Sequence, residues 1–354
     1  MEVFYVLILL LVVQTILFDL NRKEGKIAYL ILSFLEFQLF SGLRVPAYGD
    51  SQYYTDLFVE ISKTPFIDLF ESNLEKGFVF FCYILSFISK RPQTLIFFSS
   101  LIMNVLVIYY IYRKSKMVWL SVILYVTFMY FFNGMNLMRF VLAYTILLYA
   151  NDYVVKRQFL KFSTILLIAA SFHFSVLMYY IIYLIYPLKL CKKNLLIIAI
   201  PFSLLSITFM SAFEILIQLN DRYTSYESGG EFYQSAYANI LEFLISLSIF
   251  VFVVWNNKRI LHRLQGDDKL FTWMLFVAAI FALMSINVMI IIRFVSLFSL
   301  ISIIFIPNLI SQMPFGKKHI WITIFLVIST LKMVVVLTYR PEWYFGEPYK
   351  NWLF

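Results

Sequence analysis

Long apolar stretches alternate with short polar loops along almost the whole chain. A run of about 17–25 apolar residues can cross the hydrocarbon core of a bilayer as a helix, and shorter runs are tolerated inside a bundle. The pattern therefore predicts an all-α, polytopic integral membrane protein with about twelve transmembrane helices. The predicted helices are residues 3–18, 27–43, 93–112, 118–133, 137–151, 160–172, 174–188, 194–214, 236–255, 271–286, 290–310 and 319–338.

One further apolar piece, at residues 77–89, is short for a membrane span and is predicted to be re-entrant or tilted. If this piece does not span, six loops fall on one side of the membrane and carry eighteen of the 29 Lys and Arg residues. Those loops are residues 22–26, 113–116, 156–161, 189–193, 258–269 and 317–318. Because cytoplasmic loops are enriched in Lys and Arg, this side is predicted to be cytoplasmic and both chain ends external. If 77–89 spans instead, the bias is lost.

Composition supports the membrane assignment. The chain is 62% hydrophobic and 14% charged, whereas a soluble domain is roughly a quarter charged. The net charge of +9 lies at loop ends, where it meets lipid head groups, so we expect membrane lipid and no nucleic acid as a partner. The first apolar stretch lacks a basic leader and a small-residue cleavage motif, so we expect it to be retained as a helix.

Two loops on the predicted external side are large, at residues 44–76 and 215–235. We found no linker, repeat or soluble domain, so residues 1–354 are expected to form a single integral membrane domain. Four solitary arginines, Arg44, Arg139, Arg222 and Arg293, also fall on the external side. An arginine within a membrane helix is unfavourable by about 2.5–3.5 kcal/mol at the helix centre. Such residues either snorkel to the interface or form a site where guanidiniums hold an anion such as phosphate.

Two external residues are candidates for moving a proton. Asp50 precedes a predicted helix, so it is either an N-cap or a carboxylate that faces Arg44 and an incoming sugar hydroxyl. His173 lies between two apolar segments and is either a hydrogen-bonded interface residue, a base, or a donor to phosphate. The residues alone do not decide between these roles.

Several motifs are absent from the sequence. There is no Gly-x-x-x-x-Gly-Lys-[Ser/Thr], His-Glu-x-x-His, Gly-x-Ser-x-Gly or Asp-x-Asp. These absences argue against a P-loop ATPase, a zinc hydrolase and a serine-nucleophile hydrolase. We expect no metal and no cofactor, so arginines would have to neutralise any phosphate on the substrate.

Short motifs in a fixed order resemble the EpsG-like branch of the bacterial polysaccharide polymerases (Wzy type). The resemblance covers most of the chain, residues 40–350. The motifs are Arg44…Gly49-Asp50…Tyr53, Glu75-Lys-Gly-Phe, Asn136-Leu-Met-Arg139-Phe, Ala169-Ala-Ser-Phe-His173-Phe, Arg222-Tyr223…Tyr226, Arg293-Phe and Glu347-Pro348-Tyr349.

The resemblance implies a glycosyltransferase of the bacterial cytoplasmic (inner) membrane with its active site on the outer face. Such polymerases transfer a glycan from its undecaprenyl-pyrophosphate carrier to the non-reducing end of another lipid-linked repeat unit. The substrates would be undecaprenyl-pyrophosphate-linked oligosaccharides of an O-antigen, capsule or exopolysaccharide, and a chain-length regulator is a further partner that stays open.

On this basis Asp50 and His173 are the catalytic candidates. We favour Asp50 as the base or acceptor-positioning group and His173 as the contact to the pyrophosphate, and the reverse assignment stays open. The candidates for binding pyrophosphate or glycan are Arg44, Arg139, Arg222, Arg293, Tyr53 and Tyr223. The alternative functions are a flippase for lipid-linked oligosaccharide and another lipid-dependent transferase, such as a glycan ligase or an acyltransferase. A transporter is expected to carry its charged residues near the bilayer midplane, often in paired repeats, whereas here they gather at one face.

Overall fold

The computed structural model describes residues 2–46, 49–71, 74–204, 236–257, 261–287, 289–339 and 349–351. Within these ranges the chain is helical and contains no strand; an isolated antiparallel β-bridge joins Arg44 and Asn351. The predicted all-α fold class is confirmed.

The α-helices alternate with short turns along the chain. They are α1 (Glu2–Leu17), α2 (Lys23–Phe37), α3 (Gly49–Ile61), α4 (Lys76–Ser86), α5 (Pro92–Lys114), α6 (Val118–Thr127), α7 (Tyr130–Asn136), α8 (Met138–Leu147), α9 (Asn151–Val155), α10 (Phe159–Ala170), α11 (Tyr180–Ile185), α12 (residues 192–204 as far as described), α13 (Ala236–Asn257), α14 (Gly266–Ser285), α15 (Ile292–Ser299), α16 (Ser302–Ser311) and α17 (Phe315–Tyr339). A π-helical turn, Gln38–Gly42, extends α2, and a 3₁₀ turn, Phe174–Tyr179, precedes α11.

Four helical stretches in the described ranges are long and apolar enough to cross a bilayer: Pro92–Lys114, Asn239–Asn257, Gly266–Ser285 and Phe315–Tyr339. Two bent pairs, α6 with α7 at 49° and α15 with α16 at 41°, raise the number to six if each pair is one span. The predicted count of about twelve crossings is therefore not confirmed. The segment predicted to be short is a helix of 11 residues, α4, which extends only about 16 Å.

The bend between α6 and α7 has a local cause in the backbone. Met129 adopts a left-handed conformation with φ of 74°, which a side-chain-bearing residue rarely does. α6 ends at Thr127, two residues before Met129, and α7 begins at the residue after it. Nothing in the apolar pattern of residues 118–133 indicates this break, so the sequence predicted one continuous helix there.

Contacts divide the chain into two compact units. Unit 1 comprises Met1–Ala150, Leu160–Leu177 and Ile306–Phe354, and unit 2 comprises Asn151–Phe159 and Met178–Phe305. The prediction of a single membrane domain stays a prediction.

Unit 1 packs around α5, which contacts α2, α3, α4, α6, α7 and α8. Small or polar side chains let helices approach one another in a membrane and bond across the interface. On α5, Asn104 is buried and donates from Nδ2 to Gln38 Oε1 and to Ser41 Oγ, each at 3.1 Å. An apolar cluster joins α3, α4 and the first turns of α5 around the buried residues Phe58, Phe78 and Cys82.

Unit 2 packs around α14, which contacts α9, α11, α13 and α15. Aromatic stacking fixes α15 in this unit. The Phe298 ring stacks on Tyr179 and on Phe281, each with 5.6 Å between ring centroids. The Tyr179 hydroxyl also donates to Asn151 Oδ1 at 2.5 Å, which ties the α9 segment to the same stack.

Candidate functional site

An ion pair in unit 1 joins two segments that are far apart in the sequence. Arg139 is the second residue of α8, and Glu75 immediately precedes α4. Arg139 Nη1 donates to Glu75 Oε2, and the two side chains keep 12% and 22% of their exposure. The pair is thus largely shielded from solvent without being sealed.

Aromatic rings border the Arg139 guanidinium. Its Cζ lies 5.0 Å from the ring centroid of Tyr54 and 5.5 Å from that of Phe78, distances typical of cation–π contacts. Tyr54 and Phe78 also meet edge to face, with 5.7 Å between their centroids. The neighbouring Tyr53 ring packs edge to face on Tyr54 at 5.6 Å and is 55% exposed. The arginine therefore lies in an aromatic surround whose outer member, Tyr53, is accessible.

His173 lies in the turn between α10 and the following 3₁₀ turn, and this turn contacts the same carboxylate. The backbone N–H of Phe174 donates to Glu75 Oε1 at 3.0 Å. The His173 Nδ1 and the Ser175 Oγ are 2.7 Å apart, and the imidazole packs edge to face on Phe140 at 5.2 Å. The structure thus brings together Arg139, His173 and Tyr53, three of the residues predicted from the sequence.

A glycine allows α4 to approach the His173 turn closely. The Phe78 N–H donates to the Ser171 carbonyl at 3.1 Å. A Cβ at Gly77 would overlap both the side chain and the backbone of Ser171. Any larger residue at position 77 would therefore push the start of α4 away from the turn and would separate Glu75 from Phe174.

The surroundings of Glu75 keep it ionised. Partial burial alone would raise the pKa of this carboxyl, but the Phe174 N–H, the Arg139 guanidinium and the nearby His173 together hold the pKa below its usual value of 4.5. At neutral pH the site therefore contains a carboxylate and a guanidinium. The Nε of Arg139 is buried and has no hydrogen-bond partner among the described residues.

Asp50 lies in the first turn of α3, four residues before Tyr54. Residues four apart lie on the same face of a helix, separated by about 6 Å along its axis. Asp50 is therefore one helical turn from the aromatic ring that faces Arg139. The sequence allowed the Asp50 carboxylate to face Arg44. The hydrogen bonds of the Arg44 guanidinium go to Ser41, Ser100 and Met135 instead.

Arg44 occupies a different environment in unit 1. Its side chain is 3% exposed, and its guanidinium donates to the Ser41 carbonyl, to Ser100 Oγ at 3.2 Å and to the Met135 carbonyl at 2.5 Å. Burial lowers its pKa to about 10, so it stays charged at neutral pH. A guanidinium that is this deeply buried and donates to two backbone carbonyls presents little surface to a substrate. These contacts favour a structural role for Arg44 over the predicted substrate-binding role.

Arg44 belongs to a set of side chains that cap the end of the π-helical turn. The last four carbonyls of a helix have no partner within it, and here each accepts a hydrogen bond from a side chain. We call this set the carbonyl cap. Four side chains donate to these backbone carbonyls. Asn351 Nδ2 donates to the carbonyl of Leu39 at 2.9 Å and the Tyr349 hydroxyl to that of Phe40 at 2.6 Å. Arg44 Nη1 donates to the carbonyl of Ser41, and Gln93 Nε2 to that of Gly42 at 2.6 Å.

Three further predicted site residues lie outside unit 1 as the structure describes it. Arg293 lies near the start of α15, in unit 2. Arg222 and Tyr223 lie outside the described residues. In the part of the chain that the structure describes, no three His, Cys, Asp or Glu side chains come together as a metal-binding group.

Sequence reasoning missed two contributors to the site, Glu75 and Tyr54. Glu75 lies inside a motif that carries the resemblance and Tyr54 directly follows one, but neither was given a role. A carboxylate flanked by Leu74 and Lys76 looks like an ordinary loop residue. The only signal that could have selected Glu75 was the need of Arg139 for a counter-charge close to the membrane.

Comparison with known proteins agrees with this reading of the motifs. No curated protein and no solved structure matches the chain. A sequence model of the EpsG family matches residues 27–351, which is nearly the whole chain and includes every residue of the cluster around Arg139. The protein is a multi-pass helical membrane protein and belongs to the EpsG family.

Proposed function

We propose that this protein is a polysaccharide repeat-unit polymerase. In this proposal it transfers a glycan from an undecaprenyl-pyrophosphate carrier to the non-reducing end of another lipid-linked repeat unit. The reaction takes place on the outer face of the bacterial cytoplasmic membrane. The observation that carries the proposal is the Arg139 cluster, in which a guanidinium, a carboxylate, an imidazole and an exposed tyrosine meet in a chain of the EpsG family.

The transfer needs a leaving group that is stabilised and a hydroxyl that is deprotonated. The acceptor hydroxyl oxygen bonds to the anomeric carbon of the donor sugar as the bond from that carbon to the pyrophosphate oxygen breaks. The lipid pyrophosphate leaves with the bonding electrons, and the hydroxyl proton passes to a base. Arg139 supplies positive charge for the departing pyrophosphate, and fixed charges of this kind act strongly where water is partly excluded.

Within this mechanism we assign Asp50 as the base or acceptor-positioning group and His173 as the contact to the pyrophosphate. Asp50 lies one helical turn from Tyr54, and the exposed Tyr53 offers a ring against which a sugar can pack. His173 lies on the segment that Glu75 ties to Arg139. Arg222, Tyr223 and Arg293 stay predicted binding residues.

Purified protein tests the reaction directly. In detergent micelles with a synthetic polyprenyl-pyrophosphate-linked repeat unit, we expect a ladder of polymer on a gel, with or without EDTA. Micelles have no two compartments, so a flippase would yield no product in this assay. Absence of a ladder from folded wild-type protein would contradict the proposal, and dependence on a divalent cation would contradict its metal-independent form.

The orientation of the site is tested in intact cells. Lys63 follows α3, and Lys116 lies in a loop predicted to be cytoplasmic; both are exposed. A cysteine at position 63 should react with a membrane-impermeant thiol reagent, and a cysteine at position 116 should react only after the cells are opened. The opposite pattern would put the Arg139 cluster on the cytoplasmic side.

A further inference from the structure

The Glu75 carboxylate bridges the two segments that carry Arg139 and His173. One oxygen, Oε2, accepts from Arg139 Nη1, and the other, Oε1, accepts from the Phe174 N–H at 3.0 Å. Each oxygen therefore serves a different segment, one on α8 and one on the turn after α10. No other carboxylate makes an ion pair with Arg139 among the described residues.

We propose that Glu75 is a positioning residue, which sets the spacing and orientation of Arg139 and His173 for the departing pyrophosphate. The inference rests on the polymerase function proposed above. It adds a carboxylate to the site, one that acts through Arg139 and His173 and does not itself contact the substrate.

The geometry around Arg139 explains how a carboxylate can orient it. A guanidinium is planar, so fixing one of its nitrogens and one of its faces fixes the whole group. Glu75 holds Nη1, the Nε is buried, and the rings of Tyr54 and Phe78 lie within 5.5 Å of Cζ. Rotation of the side chain is thereby restricted, and catalytic groups lose much of their effect when they are misplaced by about 1 Å.

The same carboxylate restrains the His173 turn through its backbone. Phe174 follows His173 directly, and its backbone N–H donates to Glu75 Oε1, so the carboxylate anchors the turn beside His173. The hydrogen bond between His173 Nδ1 and Ser175 Oγ, at 2.7 Å, then fixes the ring relative to that anchored turn. Because position 77 is a glycine, α4 can approach the turn closely enough for Glu75 to contact Phe174.

The apolar cluster beneath the site provides a structural control. Cys82 on α4 is fully buried in this cluster, together with Tyr54, Phe78 and Met138, the neighbour of Arg139. Its thiol should become reactive if α4 loosens. Cys191, the second cysteine, is half-buried and can be replaced by serine to leave Cys82 as a single reporter.

The test compares Glu75→Gln and Glu75→Asp with Glu60→Gln in a Cys191→Ser background. Gln keeps an amide oxygen for Phe174 but loses the charge that orients Arg139, and Asp keeps the charge on a shorter arm. Glu60 is an exposed carboxylate on α3 and gives the same chemical change away from the site. The measurements are kcat and KM for the lipid-linked donor, the pH dependence of kcat, and the rate of Cys82 labelling.

We expect Glu75→Gln to lower kcat at least tenfold, Glu75→Asp to recover part of this loss, and Glu60→Gln to match the wild type. Cys82 should stay protected in all three variants. The ratio of wild-type to Glu75→Gln kcat should be constant at neutral pH and fall towards one in acid, where Glu75 takes up a proton.

Two results would overturn the positioning role. One is a Glu75→Gln kcat within twofold of the wild type. The other is loss of activity together with rapid Cys82 labelling, which would show that Glu75 holds the fold. A folded wild-type protein that makes no polymer overturns the proposed function itself, and with it this inference.

Discussion

Arg44 and Arg139 are both solitary arginines of unit 1 that the sequence assigned to the same anion site, yet their surroundings differ in kind. Arg44 is almost fully buried and donates to backbone carbonyls at the ends of the π-helical turn and of α7. Arg139 keeps part of its exposure, pairs with a carboxylate and lies between aromatic rings. A guanidinium that satisfies helix ends stabilises the fold, whereas one that is held by a single carboxylate can also engage an anion.

The two regions are also connected along the chain. Arg44 binds the carbonyl of Met135, four residues before Arg139. The carbonyl cap therefore fixes the end of α7, from which α8 and Arg139 continue. Loss of Arg44 should therefore affect the Arg139 cluster only by destabilising the fold. Separate measurements of stability and of kcat can test this.

The largest effect on activity is expected from Arg139→Lys. Lysine keeps the charge but loses the planar fork, which holds Glu75 and, in the proposed reaction, would also hold the pyrophosphate. Loss of one oriented donor to a developing negative charge lowers kcat by about 10²–10³-fold. Thermal stability in detergent should change little, and Arg91→Lys, at an exposed arginine before α5, should polymerise normally. Normal activity of Arg139→Lys would make this residue a membrane anchor.

Arg44→Lys should show the opposite pattern, with a large effect on stability. Lysine replaces the guanidinium fork with a single nitrogen on a shorter side chain, so we expect it not to reach the Ser41 and Met135 carbonyls at once. Each buried acceptor left without a donor is unfavourable by about 1–3 kcal/mol. We expect less folded protein and an earlier thermal transition, while the surviving folded molecules polymerise at close to the normal rate. An inactive variant with wild-type stability would return Arg44 to the substrate site.

A smaller change should follow from Asn351→Ala at the other side of the carbonyl cap. This substitution removes the donors to the Leu39 carbonyl and to the Tyr349 hydroxyl. The free energy of unfolding should fall by about 1 kcal/mol, with kcat unchanged. If kcat falls while the thermal transition stays in place, the C-terminal residues 349–351 contribute to catalysis instead.

The smallest expected effect is a difference between the two regions in how their contribution to stability depends on pH. The pKa of Glu75 is lowered in the folded protein, so its ion pair stabilises fully above the unfolded value near 4.5 and is lost as the pH falls through the folded value. The stability difference between wild type and Glu75→Gln should therefore be constant at neutral pH and vanish in acid. The difference for Asn351→Ala should not depend on acid, because no carboxylate takes part in the carbonyl cap. Equal acid dependence of the two would contradict this distinction.

The sequence by itself determined the class of the protein and the order of its elements. Apolar runs decide helix formation in a bilayer because every backbone polar group must bond within its own segment. The predicted stretches are accordingly mostly helical where the structure describes them, apart from some of their ends and from breaks such as the one at Met129. The ordered motifs identified the family and supplied Tyr53 as a site residue. Arg139 and His173 were selected because solitary arginines and histidines are conspicuous in an apolar sequence.

Only the tertiary structure decided which arginine meets a carboxylate and which meets carbonyls. Arg44 and Arg139 look alike in the sequence because both follow apolar stretches, and what differs is the segment that packs against each one. Glu75 lies 64 residues from Arg139, and Asn351 lies 312 residues from the carbonyl that it caps. Local pattern carries no information about such pairings, since they depend on how α4, the His173 turn and residues 349–351 pack within unit 1. The break at Met129 is likewise a consequence of packing, because an apolar run does not reveal where a helix must bend.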